Sequence, residues 1–293
     1  MDLKHDYAQV NGVRLHYATA GNGPLMLFVH GFPQFWYAWH ELLPEFGRTH
    51  HAVAPDMRGV NLSAKPEGVK AYHVTQQTND LRALMRHLGH DKCIVVGHDW
   101  GGAVAWAVAA RHPELVDGLV AINCPPASAL AHAMRHSRAQ LRKSWYILFF
   151  QLPWLPERRM AADGAAVVAR ALVGGSHRRD AWPPEELDAY RAAFARPGRA
   201  KAAIDWYRAG FRRTVRRRHS SGPSRRVAAP TLVLWGVEDR FLGRELVAPD
   251  VLRGVLTEGN VPEVVFIEDA GHFVQNEMPD RVNEELLRWL ARR

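Results

Sequence analysis

Val95-Val96-Gly97-His98-Asp99-Trp100-Gly101-Gly102 is the stretch on which the reading of this 293-residue chain turns. The apolar run from Cys93 to Val96 predicts a short strand buried on both faces. After the turn, Gly101 to Ala110 is rich in Ala and Val and predicts a tightly packed helix. A strand that bends sharply into a helix needs glycine where side chains would collide, and Gly97 and Gly101 flank Asp99 at two-residue spacing. The pattern is the nucleophile elbow G-x-S-x-G with Asp in place of Ser. An Asp at an ordinary helix start would be an N-cap, but a cap does not require a glycine on each side. The elbow exposes residue 99 at the edge of the sheet, where a helix N-terminus favours an anion.

Working outward, the same rhythm extends in both directions. Val13 to Thr19 predicts a strand after an Asn11-Gly12 turn. Leu25 to Val29 is a continuous apolar run ending at His30-Gly31, and Ala52 to Ala54 leads into Pro55-Asp56. Thr78 to Leu88 has helical spacing, with Leu81, Leu84, Met85 and Leu88 on one face and Gly89 as a stop. Leu119 to Ile122 predicts a further strand. The alternation then stops. From Pro125-Pro126 to Ser220–Ser224 the chain is rich in Ala, Arg, Trp and Pro, with helical stretches and no convincing strand. Strands resume at Thr231 to Leu234 and Val264 to Ile267, and a last helix from Pro279 places Val282, Leu286, Leu287 and Leu290 on one side. This order predicts an α/β fold, a mostly parallel sheet flanked by helices. The expected division is a core of residues 1–125 and 229–293, interrupted by a helical cap at 126–228 over the strand ends.

A carboxylate at the elbow has a chemical meaning. A serine that displaced a group from a saturated carbon would become an ether, which water does not readily cleave. A carboxylate becomes an ester, whose carbonyl a second step can hydrolyse. Asp99 therefore points to attack on an sp³ carbon and away from lipase, esterase or peptidase chemistry. The second step needs a base, and His272, in Asp269-Ala270-Gly271-His272-Phe273 after the last strand, is placed for it. Asp239 in Glu238-Asp239, after the Thr231–Leu234 strand, is preferred as its orienting acid over Glu238 and Asp269. The order Asp99, Asp239, His272 is that of nucleophile, acid and histidine. Backbone N–H groups of Phe32 and Trp100 are the expected oxyanion donors.

The formal net charge of +8 could suggest nucleic acid. The densest cationic run, Arg212 to Arg218 with Arg225 and Arg226, comes without an aromatic RNA motif, zinc spacing or basic heptads, and reads as a solvated face. Cys93 and Cys124 read as small buried hydrophobes, with no disulfide framework or metal site. No secretory signal and no apolar run of membrane length is seen. The expectation is a soluble cytoplasmic protein, monomer or homodimer, with neither nucleic acid nor membrane as partner and no cofactor.

These residues resemble the epoxide hydrolases of the α/β-hydrolase fold, soluble type. The motifs stand as His30-Gly31-Phe32-Pro33, as Gly97-His98-Asp99-Trp100-Gly101-Gly102 and as Arg58-Gly59-Val60-Asn61-Leu62-Ser63-Ala64-Lys65-Pro66. Ser144-Trp145-Tyr146 through Leu152-Pro153, and Ile204-Asp205-Trp206-Tyr207-Arg208, are similar to the family's two lid-tyrosine segments, with Asp205 where Asn is frequent. The resemblance implies that Tyr146 and Tyr207 donate to the epoxide oxygen. It also implies that the substrate is a small apolar epoxide and that water is the second reactant. Phe32, Trp36, Trp100, Phe150 and Phe273 are expected to line its pocket, with Trp145, Phe149, Trp154 and Phe35 adding to its apolar walls. Tyr190 is expected at a helix surface with its hydroxyl at the rim. Haloalkane dehalogenase is the alternative, but that family typically has Asn where Phe32 stands, and often takes its acid near Asn123, which is not one. A non-catalytic ligand receptor on the same scaffold is more remote.

Overall fold

The computed structural model describes residues 2–216 and 225–293. Arg217, Arg218 and the Ser220–Ser224 stretch lie outside them; Arg212, Arg225 and Arg226 are exposed. The described residues form an eight-stranded sheet in the order β1-β2-β4-β3-β5-β6-β7-β8. The strands are β1 (Lys4–Val10), β2 (Val13–Ala20), β3 (Leu25–Val29), β4 (His51–Pro55), β5 (Cys93–His98), β6 (Val116–Ile122), β7 (Thr231–Gly236) and β8 (Glu263–Ile267). From β4 to β8 the pairing is parallel; β1 and β2 join antiparallel. Strand β1 went unnamed in the sequence reading because its residues are polar and mostly exposed, as an edge strand allows. It pairs with β2 across Asn11-Gly12, whose φ angles of 46° and 74° are those a tight hairpin turn requires.

The helices are α1 (Leu42–Phe46), α2 (Val74–His87), α3 (Trp100–Arg111), α4 (Ala127–His136), α5 (Arg138–Lys143), α6 (Trp145–Phe149), α7 (Leu155–Gly175), α8 (Pro184–Ala195), α9 (Arg199–Arg216), α10 (Pro249–Arg253), α11 (Val274–Glu277) and α12 (Pro279–Leu290). Strand side chains alternate between two cores. Leu27 and Val29 of β3 pack with Leu81 and Leu84 of α2 and Val104 and Val108 of α3. Met26 and Phe28 face Leu42 and Phe46 of α1 and Val282, Leu286 and Trp289 of α12. Trp289 takes the place expected of Leu287, which is 40% exposed.

Helices α4 to α9 lie between β6 and β7, and no described residue there belongs to a strand of the sheet. This insertion is tied down on the segment after β4. Trp206 Nε1 donates to the Arg58 carbonyl at 3.1 Å, and an Arg199 guanidinium N–H donates to the Ser63 carbonyl at 2.5 Å. That segment is itself braced by buried polar groups. Ser63 Oγ donates to Asp56 O at 2.6 Å, and Arg58 pairs with Asp80 of α2, both side chains being almost wholly buried.

Candidate active site

Asp99 sits between β5 and α3 with φ 50° and ψ −118°, a conformation that costs a residue with a side chain roughly 1–3 kcal/mol. Its side chain makes no capping hydrogen bond to α3, so it is not an N-cap in function. The glycines are needed for contact as well as conformation. A Cβ on Gly101 would lie 1.9 Å from the Val29 carbonyl oxygen, and one on Gly97 would lie 2.4 Å from that of Gly101. The turn presses the helix start onto β3, leaving the carboxylate aimed into the space beneath the insertion.

One carboxylate oxygen, Oδ1, accepts the Phe32 N–H at 2.8 Å. The other, Oδ2, faces His272 Nε2 at 3.6 Å. On the far side of the ring, His272 Nδ1 donates to Asp239 Oδ2 at 2.8 Å. Asp239 is buried, whereas Glu238 and Asp269 are exposed. Its Oδ1 accepts the N–H groups of Phe241 and Leu242 at 2.7 and 3.0 Å. Asn123, which entered the sequence reading only as a missing acid, donates its amide to Asp239 Oδ2 at 2.7 Å. It thereby helps aim the carboxylate at His272.

The histidine loop is held by two more buried groups. His98 Nε2 donates to the His272 carbonyl at 2.8 Å. Glu277 of α11 accepts four backbone N–H groups: those of Gly271 and Phe273 on either side of His272, and those of His177 and Arg178 in the insertion, at 2.7 to 3.1 Å. One carboxylate thus joins the catalytic-type loop to the insertion. No local sequence pattern marks Glu277 for this task, because its partners are backbone groups about a hundred residues apart.

Two tyrosines of the insertion pack around the neighbours of Asp99, and both feel its charge. The Tyr207 ring stands edge-on to Phe32 and to Trp100, 5.1 Å from each, and so spans the residues on either side of Asp99. Tyr146 on α6 packs at 5.8 Å against Tyr207 and at 5.6 Å against Phe241. Phe150 completes the cluster, 4.9 Å from Tyr207 and 5.5 Å from Phe32. Arg208, next to Tyr207 on α9, reaches across to α6 and donates to the Phe150 and Leu152 carbonyls at 3.0 and 2.6 Å. Its charge is met by Glu157 at 2.6 Å and by Asp205 at 3.3 Å, while Asp205 also takes Lys201 at 2.6 Å. The Asp at position 205 is therefore balanced inside its own helix.

Other expected residues fall elsewhere. Phe273 packs behind the His272 ring, 5.0 Å from it and 5.6 Å from His98. Trp36 lies against His5, Phe35 and Tyr37 rather than in the tyrosine cluster. Trp145 and Trp154 do not line an inner wall; they are 61% and 62% exposed. Trp145 is turned outward on α6 as its neighbour Tyr146 turns in, and Trp154 stands in the left-handed turn just before α7. Tyr190 is fully buried, not at a rim. Its hydroxyl lies 3.5 Å from the side-chain amides of Gln34 and Asn276. Phe241, unnamed in the sequence reading, contacts both His272 and Tyr146.

Charge in the site is concentrated on His272. Burial works against its imidazolium, but Asp239 and then Asp99 outweigh burial and push its pKa up to about 10. Burial likewise disfavours both carboxylates, yet the facing His272 holds Asp99 and Asp239 below the usual range. His98, buried and beside that charge, is pushed down to about 3 and stays neutral. Burial and then the Asp99 charge raise the pKa of Tyr146 and Tyr207, so both phenols keep their protons.

An acid-supported histidine facing an aspartate at a strained strand-to-helix turn, on a mostly parallel sheet, defines a class, and the chain belongs to it: the α/β-hydrolase fold family, whose model matches residues 24–279. It is a hydrolase. Among its relatives, Epoxide hydrolase 1 of Caenorhabditis elegans is 38% identical, covering 97% of this chain and 69% of the relative. AB hydrolase superfamily protein YfhM of Bacillus subtilis is 36% identical over 98% of each chain. The epoxide hydrolase of Bacillus megaterium, solved as a variant with its product (R)-3-[1]naphthyloxy-propane-1,2-diol, is 31% identical with a TM-score of 0.86, covering 98% of this chain and 100% of that one.

Proposed function

We propose that this enzyme converts apolar epoxides to vicinal diols through an alkyl ester on Asp99, with residues 126–228 acting as a cap over the core of residues 1–125 and 229–293. The observation that carries the reading is a carboxylate at the elbow beside two packed tyrosines, Tyr207 buried and Tyr146 half-buried, whose phenols keep their protons. The names of the relatives and the diol bound to the Bacillus megaterium enzyme agree with it.

In the first step Asp99 Oδ2 attacks an epoxide carbon. The C–O bond of the ring breaks, and the departing oxygen takes a proton from Tyr146 or Tyr207. Oδ1 becomes the ester carbonyl oxygen, already hydrogen-bonded by Phe32 N–H; Trp100 N–H is the second oxyanion donor of this reading. Esterification removes the Asp99 charge that helped hold the proton on His272. The imidazolium then returns a proton to the tyrosinate and becomes a neutral base. In the second step His272 takes a proton from water as its oxygen adds to the ester carbon. Collapse of the tetrahedral intermediate releases the diol and restores the Asp99 carboxylate facing an imidazolium. Protons balance over the cycle, with epoxide and water consumed.

Parallel turnover of styrene oxide and 1-bromobutane tests the substrate class: diol from the epoxide is expected, whereas bromide without diol would transfer the site to dehalogenation. Single-turnover reaction in ¹⁸O-water tests the route. Solvent oxygen should enter Asp99 and not the first diol; label in that first diol would rule out the ester.

A further inference from the structure

We propose that the outer face of α5, α6 and the turn leading into α7 docks on an anionic lipid surface. Of the large hydrophobic side chains exposed among the described residues, Leu141, Trp145, Leu148, Leu152 and Trp154 fall within one short segment. Along the chain they make a stripe of exposed apolar residues that runs from α5 through α6 to the turn before α7, across the break between the two helices at Ser144. An unpartnered apolar stripe of this kind marks a contact surface.

Charge selects the occupant. Five exposed arginines, Arg135, Arg138, Arg142, Arg158 and Arg159, stand between residues 127 and 160. The same range holds one acid, Glu157, and Arg208 occupies it at 2.6 Å. Arg158 lies 5.8 Å over the Trp154 ring, placing a cation beside the apolar side chain at the edge of the stripe. Tryptophan and leucine flanked by arginine is the composition that binds the boundary between headgroups and acyl chains. A second copy fits poorly, since a two-fold contact would set the same arginine-rich face against itself. The proposal departs from the sequence expectation of no membrane partner, which rested on run length and so concerned spanning alone; no described helix is long and apolar enough to cross a membrane. It is also independent of the substrate reading, because docking needs only the outer face of α6, while Tyr146 occupies the inner one.

Vesicle sedimentation tests it without reference to activity. The full chain should pellet with vesicles of mixed phosphatidylglycerol and phosphatidylcholine, remain in solution with phosphatidylcholine alone, and release as salt is raised. Arg138→Gln with Arg142→Gln should weaken partitioning by at least roughly tenfold, and Trp145→Gln with Trp154→Gln by a similar factor, with melting temperatures unchanged at these exposed positions. Failure to pellet with anionic vesicles, or equal binding by both double variants and wild type, overturns the proposal. So does concentration-dependent self-association in sedimentation velocity that the tryptophan variant abolishes, since that would make a second copy the occupant.

Discussion

His272 holds its proton in the resting site because carboxylates flank it on both sides, and one of those carboxylates is the nucleophile of the proposed mechanism. Replacing Asp99 by Asn removes a negative charge 3.6 Å from Nε2 without removing Asp239. The His272 pKa, pushed up to about 10 in the parent, should then fall toward the ordinary value, as read from imidazole NMR; an unchanged titration would break the link between ester formation and base release. The same group makes a prediction for stability. A folded value raised from 6.5 to about 10 means that the unfolded chain loses this proton first. The stabilisation is therefore complete below about pH 6.5 and disappears as pH rises through about 10. Denaturant midpoints across that window should decline less in Asp99→Asn than in the parent. In the proposed mechanism the phenols act in the other half-reaction. Tyr146→Phe with Tyr207→Phe should slow ring opening by roughly a hundredfold or more, leaving His272 and Asp239 in place; near-normal turnover would remove the tyrosines from the mechanism.

At the scale of elements, the two phenols come from different helices, α6 and α9, and their separation depends on what joins those helices. Arg208 does so through carbonyls at the end of α6. Arg208→Lys cannot reproduce a planar fork that reaches Phe150, Leu152 and Glu157 at once. The expected result is a fall in kcat about tenfold or greater with KM little changed, checked by steady-state turnover against thermal melting. Elements also show what the sequence could disclose. The strands β3, β5 and β7 were legible because nearly all their residues are buried and each carries a continuous apolar run. The elbow was legible because steric demand at Gly97 and Gly101 is local. Helix α2 was read from Thr78, four residues after its start at Val74, since its first turn carries polar residues and is capped by the His73 ring. The support given by Asn123, Arg208 and Glu277 was illegible, because each acts by joining its own segment to one distant in the chain: Asp239, the Phe150 and Leu152 carbonyls, and residues 177 and 178. Trp145 and Trp154 misled for a related reason: composition said aromatic, but the side of α6 that Trp145 occupies depends on where Tyr146 points, and Trp154 sits in the turn before α7.

For the molecule as a whole, the insertion rests on a segment whose own shape depends on buried charge. Arg58 meets Asp80 inside the core, and the Arg58 carbonyl receives Trp206 from α9. Arg58→Ala would strand the Asp80 carboxylate, costing about 3–5 kcal/mol, whereas Arg58→Met with Asp80→Leu should recover much of that loss in denaturant titrations; equal destabilisation by both would show that the backbone contacts of Arg58, not the pairing, carry the effect. Glu277 imposes a different constraint at this scale. A single side chain grips amides from the His272 loop and from residues 177 and 178 together, so separation along that margin would leave an anion stripped of its donors. The insertion is anchored to the His272 loop at that margin through one carboxylate.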